Sequence, residues 1–354
     1  MAQRSREGSS QFPWKKWVAA GAAAAVVGTG AVAAGAEVKP LGDFLRSSSD
    51  KTPKEQRSRR DQPAIPHEKL QRLGQQLLIR SYGHSMLHVD GKEATEGTER
   101  ERSADFHLAT ILQGLYPNLT IKHENSAVVG SLSADLLKKI QADRKELINF
   151  PGLMINIVYT GENDWKDVLT GEKSMRHLEG LSQLSDDLPR GTFIREAATN
   201  GVPIAHSHRG VEKKLSRTKL AIFDEYKKIN AERKKKGLEP IYLAALESAD
   251  FSQAKAITMY PPEGVTDIKP TVFPLDSEYA RRGARMVSEA NTRTTRRAVR
   301  RFGGSVPATL VPIRGVEAHF GFDQHVGEGG QEFMAEQVVY ALKLIPESAV
   351  TNVA

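Results

Sequence analysis

Short apolar runs alternate with amphipathic stretches along the chain from Leu70 onward. This alternation is typical of strand–helix units that build a parallel sheet with helices on both faces. We therefore predict an α/β fold, a three-layer α/β/α sandwich with a five-stranded parallel sheet. The predicted strands lie at 77–81, 119–124, 153–159, 241–246 and 309–313. The predicted helices lie at 132–148, 211–236, 277–302 and 330–344.

The N-terminal part of the chain is predicted to lie outside that fold. Basic residues precede the uncharged 20-residue run WVAAGAAAAVVGTGAVAAGA at 17–36. This order describes a secretory signal, and as a helix the run would reach about 30 Å, enough to cross a bilayer. The alternative is a buried Ala-rich helix of a cytosolic domain. The predicted organisation is a signal peptide or membrane anchor at 1–36, a disordered linker at 37–66, and one domain at 67–354 with an insertion at about 165–210.

The formal net charge of +7 is concentrated near the N-terminus. Residues 1–66 contain 11 Lys and Arg against 6 Asp and Glu, while the other 288 residues contain 39 against 37. A basic tail on a nearly neutral body suits export or an anionic surface better than recognition of nucleic acid. The chain contains no Cys, which excludes a disulfide framework and a thiol nucleophile.

A glycine and a serine directly follow the first predicted strand, at Gly83-His84-Ser85. One interpretation is an ordinary turn, with glycine for the bend and Ser85 as a helix cap. The other is a nucleophile at the carboxyl end of a parallel strand, where open α/β sheets place their sites. A nucleophile also requires a base, a group that orients the base, and donors for an oxyanion, which other loops must supply.

Three further stretches after predicted strands carry such groups. Gly130 begins a turn whose backbone N–H could approach a substrate closely, or the turn could simply start a helix. Asn163, in the run GENDW, could donate to an oxyanion or form an ordinary Asx turn. Asp323 and His325 lie in a loop before the last predicted helix, and they have the chemistry of an orienting carboxylate and a general base.

In this order the stretches resemble the SGNH, or GDSL-type, hydrolase family. The first block of that family, Gly-Asp-Ser, corresponds to Gly83-His84-Ser85. Its second block has Asn followed five residues later by Gly, and it corresponds to Asn125 and Gly130. The resemblance covers residues 70–345 and implies the flavodoxin-like sandwich of the family.

The third and last blocks of the family also have counterparts. Its Gly-x-Asn-Asp block corresponds to Gly161-Glu162-Asn163-Asp164. Its last block, Asp and His before a glycine and a final helix, corresponds to Asp323 and His325. Four blocks in the family's order make the resemblance more specific than any one motif.

Two positions depart from the family pattern. The aspartate before the serine is His84 here, so an expected hydrogen-bonding carboxylate next to the nucleophile is missing. The last block is Asp323-Gln324-His325, one residue shorter than the usual Asp-x-x-His. If Asp323 does not orient His325, a Ser–His dyad remains, or a fold that keeps the site without the activity.

The resemblance implies ester cleavage through an acyl-enzyme, with no cofactor and no metal. Ser85 would attack the ester carbonyl, His325 would move the proton to the leaving alcohol, and Asp323 would hold the imidazole. The Ser85 backbone N–H, the Gly130 N–H and the Asn163 amide would bind the oxyanion. Water or a sugar hydroxyl would then accept the acyl group.

The expected substrate is an ester-bearing glycan or lipid in the periplasm or outside the cell. We expect a membrane contact through 17–36 if that segment is retained, and no nucleic-acid partner. The alternatives are a catalytically inactive or acyl-transferring envelope protein of the same fold, and a metal hydrolase. The metal hypothesis rests on paired histidines, although no His-Glu-x-x-His helix motif is present and one pair, His206 and His208, lies in a predicted loop. The pairs are His84 and His88, His206 and His208, and His319 and His325.

Overall fold

The structure is a computed structural model that describes residues 65–87, 103–165, 203–259, 271–276 and 278–346. Within these ranges the helices are α1 (His67–Leu70), α2 (Ala104–Leu115), α3 (Ser133–Asn149), α4 (Pro203–Lys235), α5 (Glu278–Phe302) and α6 (Glu328–Ala341). The strands are β1 (Gln76–Tyr82), β2 (Thr120–Asn125), β3 (Leu153–Val158), β4 (Ile241–Leu246), β5 (Ala256–Met259), β6 (Thr271–Pro274) and β7 (Ala308–Val311). Single 3-10 turns lie at Ser85–Leu87, Asn163–Trp165, Phe251–Gln253 and Val316–His319.

Five strands form one parallel sheet in the order β2-β1-β3-β4-β7. In the register of the sheet, Ile79 of β1 lies opposite His123 of β2 and Ile155 of β3. Strands β5 and β6 form a separate antiparallel pair, so β7 is the fifth strand of the main sheet along the chain. Counted in this way, the strand order is 2-1-3-4-5, the doubly wound order of the flavodoxin-like folds. The predicted α/β sandwich with a five-stranded parallel sheet is confirmed.

Alternating side chains of the central strands pack against different helices, which is why these strands read as continuous apolar runs. On one face, Leu77 and Ile155 share a buried cluster with Leu108 of α2 and Val338 of α6. On the other face, side chains of β1, β3 and β4 share a second cluster with α3, α4 and α5. This second cluster includes Leu78, Met154, Leu243, Ile140, Phe223 and Ala298.

The loop that follows β3 is fastened to α5 by a buried polar bond, and α5 is bonded in turn to α4. Trp165 Nε1 donates to Asn291 Oδ1 at 3.0 Å. From α4, Lys219 Nζ donates to the Asn291 carbonyl at 3.1 Å and to Thr295 Oγ1 at 2.8 Å. Helices α4 and α5 therefore support the rim of the sheet where the strands end, which is the rim that carries the predicted site residues.

The predicted strands of the main sheet lie within two residues of their observed bounds. Helix α2 and the antiparallel pair β5–β6 were not predicted from the sequence. The predicted loop at His206 and His208 is wrong, because α4 begins at Pro203 and includes both. Proline fits the first turn of a helix, where its missing N–H has no partner to lose, so Pro203 starts the helix instead of preventing it.

Other predictions fall on parts of the chain that the structure does not describe. The signal or anchor at 1–36, the linker up to residue 64, and positions 166–202 of the predicted insertion lie outside the described residues. Among the helices that are described, none combines the length and the apolar composition needed to cross a bilayer.

Candidate active site

Gly83 makes the turn after β1 possible. A β-carbon at this position would stand 2.4 Å from the carbonyl oxygen of Tyr159, so any larger residue would push the ends of β1 and β3 apart. Beyond the glycine, Ser85 begins a 3-10 turn, and only 3% of its surface is exposed. The chain thus leaves the sheet sharply and holds the serine hydroxyl inside the protein.

The Ser85 hydroxyl is hydrogen-bonded to a histidine 240 positions away. Ser85 Oγ lies 2.7 Å from Nε2 of His325, which is supplied by the loop between β7 and α6. Both residues are buried. If Nε2 accepts the hydroxyl hydrogen, the neutral imidazole carries its own hydrogen on Nδ1.

Asp323 lies on the opposite side of the His325 ring. Its Oδ1 is 3.0 Å from His325 Nδ1, and the same oxygen accepts the His325 backbone N–H at 3.0 Å. Burial raises the pKa of Asp323, but hydrogen bonding and charge attraction to His325 outweigh burial and lower this pKa to about 2. The carboxylate is therefore ionised at neutral pH, and the short Asp-x-His spacing does not separate the two side chains.

Gln324, between the aspartate and the histidine, ties their loop to β5. Its Oε1 accepts the Thr258 N–H at 2.8 Å, and its Nε2 donates to the Thr258 carbonyl at 2.6 Å. These two bonds imitate the pairing that a neighbouring strand would provide. Because Gln324 is buried, they are made away from water, where such bonds hold a loop firmly.

The loop after β2 is bonded to the turn that carries Ser85. The Val128 N–H and the Ser131 hydroxyl both donate to the Gly83 carbonyl, each at 3.0 Å. Between these donors Gly130 has a φ of 76°, a left-handed conformation that glycine adopts readily. The structure therefore places the Gly130 turn against the Ser85 turn.

Asn125 shapes the beginning of that same loop. Its Nδ2 donates to the Leu87 carbonyl at 2.9 Å, and its Oδ1 accepts the Ala127 N–H at 2.9 Å. The second of these bonds is an Asx turn, and the first reaches the end of the 3-10 turn that starts at Ser85. Asn125 thus acts on the shape of the site and does not enter it.

Asn163 lies in the turn after β3 and is joined to the Gly130 loop. Its Nδ2 donates to the Ser131 carbonyl at 3.0 Å, which leaves its second amide hydrogen for another acceptor. The next residue, Asp164, accepts the backbone N–H and the hydroxyl of Ser133 at 2.9 and 2.7 Å, at the start of α3. The loops after β2 and β3 are therefore held together by three side-chain bonds.

All five site residues predicted from the sequence come from loops at one rim of the sheet. Ser85, His325 and Asp323 form a continuous chain of close contacts. Gly130 and Asn163 lie in loops that are bonded to the serine turn and to each other. A buried hydroxyl, an imidazole, a carboxylate and nearby amide donors can together support nucleophilic attack on a carbonyl carbon.

Two buried side chains at the site were not predicted, Glu162 and Gln324. Glu162 contacts His84, the residue that stands where the family has aspartate. The sequence signal for Glu162 was its place next to Asn163, in a block that ends near the nucleophile turn. For Gln324 the sequence carried no signal, because its bonding partner is the backbone of a strand that was not predicted.

The histidines do not gather into a metal site within the described ranges. His84 contacts Glu162, His325 is bonded to Ser85, and His319 packs against Phe333 with ring centroids 5.8 Å apart. No three His, Cys, Asp or Glu side chains in the described part of the chain are grouped so that they could hold a metal ion.

No protein-family model matches the chain, and no curated protein matches it. Similar solved structures include a GDSL-like lipase from Parabacteroides merdae, at 14% identity and a TM-score of 0.47, covering 77% of this chain and 99% of that one. An acetylxylan esterase from Geobacillus stearothermophilus has 12% identity and a TM-score of 0.37, covering 76% and 94%. A lipase from a goat rumen metagenome has 10% identity and a TM-score of 0.41, covering 75% and 97%.

Likenesses this distant carry no argument about activity. The order of the sheet strands and the position of the four loop blocks at one rim are features of this chain itself. The fold is the flavodoxin-like sandwich that the resemblance to the SGNH, or GDSL-type, hydrolases implies.

Replacing Gln324 by Leu should loosen the loop that carries Asp323 and His325. Leucine has a similar size but leaves the N–H and the carbonyl of Thr258 without partners, so we expect a loss of about 3 kcal/mol in the free energy of unfolding. Hydrogen exchange at the Thr258 amide should accelerate. The control is Gln253→Leu, because Gln253 is exposed. Unchanged stability and unchanged exchange at Thr258 would show that Gln324 does not hold the loop.

Proposed function

We propose that the protein is a serine ester hydrolase that works through an acyl-enzyme at Ser85. The observation that carries this proposal is the 2.7 Å contact between Ser85 Oγ and His325 Nε2, continued by the 3.0 Å contact between His325 Nδ1 and Asp323. Hydroxyl, imidazole and carboxylate in this sequence are the groups that nucleophilic catalysis of acyl transfer needs.

The proposed acylation step begins at the serine hydroxyl. As Ser85 Oγ bonds to the ester carbonyl carbon, its proton passes to His325 Nε2 and the carbonyl electron pair moves onto the carbonyl oxygen. When the tetrahedral intermediate collapses, the bond to the alcohol oxygen breaks and His325 returns the proton to the leaving alcohol. Asp323 keeps the ring oriented and stabilises the imidazolium that forms in between.

The negative oxygen of the intermediate would be bound by the Ser85 N–H, the Gly130 N–H and the Asn163 amide. Their loops are already fastened to one another through Ser131, so little reorganisation is needed when the charge develops. Donors fixed in advance are worth more than mobile ones, and losing one costs about 3 kcal/mol of barrier. Water then attacks the acyl group, with His325 as base, and frees Ser85.

We further propose that the substrate is an acyl or acetyl ester on a glycan or a lipid outside the cytoplasm. The support is the uncharged run at 17–36 after basic residues, which suits export or anchoring. Transfer of the acyl group to a sugar hydroxyl uses the same acyl-enzyme, and analysis of the products separates transfer from hydrolysis.

Replacing Ser85 by Ala should abolish ester hydrolysis without unfolding the protein. We expect kcat for p-nitrophenyl acetate to fall by about a thousandfold or more, because the nucleophile is lost and only binding and oxyanion donors remain. The matched control is Ser81→Ala, because Ser81 is a buried serine of β1, four residues before Ser85, whose hydroxyl has no hydrogen-bond partner. Equal turnover by the Ser85 variant and the wild type would disprove the nucleophile assignment.

The low pKa of Asp323 has consequences for how stability and kcat/KM depend on pH. Its folded-state pKa of about 2 lies below the ordinary value of 3.8, so its contribution to stability is present above that value and is lost as the pH falls toward 2. We therefore expect the Asp323 carboxylate to stay ionised above about pH 4, so that it contributes no inflection to the dependence of kcat/KM on pH in that range.

The matching measurement is the stability of Asp323→Asn as a function of pH. The difference in the free energy of unfolding between the wild type and this variant should shrink as the pH falls toward 2. At that pH the wild-type carboxyl becomes protonated and, like the asparagine amide, carries no charge. An inflection of kcat/KM above about pH 4 that is present in the wild type and absent from Asp323→Asn would contradict this assignment.

A further inference from the structure

A buried contact joins the turn of the nucleophile to the turn of Asn163. His84 Nε2 meets the Oε2 oxygen of Glu162, and both residues are buried. His84 immediately precedes Ser85, and Glu162 immediately precedes Asn163. The contact therefore links the backbone at the proposed nucleophile with the backbone at a proposed oxyanion donor.

The Glu162 carboxylate is held between the ends of three neighbouring strands. While Oε2 meets His84 after β1, Oε1 accepts the hydroxyl of Ser248, after β4, at 3.3 Å. Burial and then the charge of Glu162 raise the pKa of Tyr159, at the end of β3, well above its usual value. One carboxylate thus reaches across the rim from β1 to β4.

The bonds of His84 fix the orientation of its ring. Nδ1 accepts the Met86 backbone N–H at 3.4 Å, which assigns the ring hydrogen to Nε2, the nitrogen that faces Glu162. The Tyr159 ring packs beside it, with centroids 5.2 Å apart. Since Met86 belongs to the 3-10 turn that starts at Ser85, the ring touches that turn on one side and Glu162 on the other.

The buried Lys219 of α4 supplies a positive charge that attracts both Glu162 and Asp164. Burial lowers the pKa of Lys219 to about 8, while attraction to Glu162 and Asp164 opposes this fall. At neutral pH the amine is therefore mostly charged. A buried carboxylate close to an oxyanion site repels the charge that develops there, and a nearby ammonium reduces this penalty.

We propose that Glu162, acting through His84, is a positioning residue. It holds the Ser85 backbone and the Asn163 side chain at the positions from which both can bind the oxyanion. This inference rests on the proposed esterase function. It also accounts for the departure at position 84, because the carboxylate expected beside the nucleophile is supplied by Glu162 from the neighbouring turn, with histidine as its partner.

The first test is Glu162→Ala, which removes the carboxylate that contacts His84 and accepts from Ser248. We expect kcat for p-nitrophenyl acetate to fall about 100-fold while KM changes less than about threefold, because a shift of order 1 Å at the reacting groups lowers the rate without removing a substrate contact. Phosphonylation of Ser85 by a fluorophosphonate should slow by a similar factor, since the phosphoryl oxygen uses the same donors.

Two further variants separate positioning from general loss of stability. Glu162→Gln keeps an oxygen that can accept from His84 Nε2, so kcat should return to within about fivefold of the wild-type value. His84→Asp restores the Gly-Asp-Ser of the family, yet we expect it to be about as slow as Glu162→Ala, because two carboxylates then face each other in a buried site. Adding Glu162→Gln to His84→Asp should recover at least about tenfold.

The control is Glu225→Ala, because Glu225 is also a buried carboxylate with a basic partner, Arg144, and it lies on α4 away from the site. Thermal unfolding is measured for every variant. The control should lose stability and keep the wild-type kcat. Should Glu162→Ala fail to fold, the comparison of His84→Asp with its double variant decides the same question.

The outcomes distinguish this inference from the function on which it rests. A wild type that hydrolyses the ester, together with a Glu162→Ala variant that keeps its kcat, overturns the positioning role alone. A wild type that neither turns over esters nor reacts at Ser85 overturns the proposed function and the positioning role with it. A large fall in kcat with rescue by Glu162→Gln supports both.

Discussion

The hydrogen bond between Ser85 and His325 is the interaction on which the account of this protein depends. The two residues come from opposite ends of the domain sequence, and they meet because β1 is an interior strand of the sheet while the loop before α6 returns to the same rim. In a doubly wound sheet the strand order reverses beside the first strand, which opens a crevice at its carboxyl end. The fold therefore puts the serine where a second loop can reach it.

The loops at this rim are bonded to each other as well as to the sheet. Ser131 links the Gly83 and Asn163 turns, Gln324 links the histidine loop to β5, and Glu162 links the first and third turns through His84. Groups held in this way keep their geometry without help from a ligand. Such preorganisation is what an oxyanion site requires, because donors that must first rearrange stabilise the transition state less.

Much of this arrangement could be predicted from the sequence, because buried parallel strands are continuous apolar runs and their ends carry the functional groups. The helix α2 and the pair β5–β6 were missed, since tertiary packing and not local periodicity makes them stable. The bonds of Gln324 and Glu162 could not be predicted either. Each depends on which backbone or side chain lies opposite in space, and sequence spacing does not record that.

The two departures from the family pattern are further cases in which sequence spacing does not show which groups meet in space. From the sequence, the short spacing between Asp323 and His325 left open whether the carboxylate reaches the imidazole, and the loop brings Oδ1 to 3.0 Å from Nδ1. His84 suggested a missing carboxylate, yet a carboxylate is present from Glu162. In both cases a carboxylate is present, and only its position along the sequence differs from the family pattern.

The most direct test of the central claim is the intact mass of the full chain after treatment with a fluorophosphonate, followed by mapping of the labelled peptide. A serine made nucleophilic by His325 should gain one phosphonyl group, located on Ser85, and prior unfolding should abolish the reaction. Absence of the adduct in the folded protein, or its placement on another residue, would contradict the account.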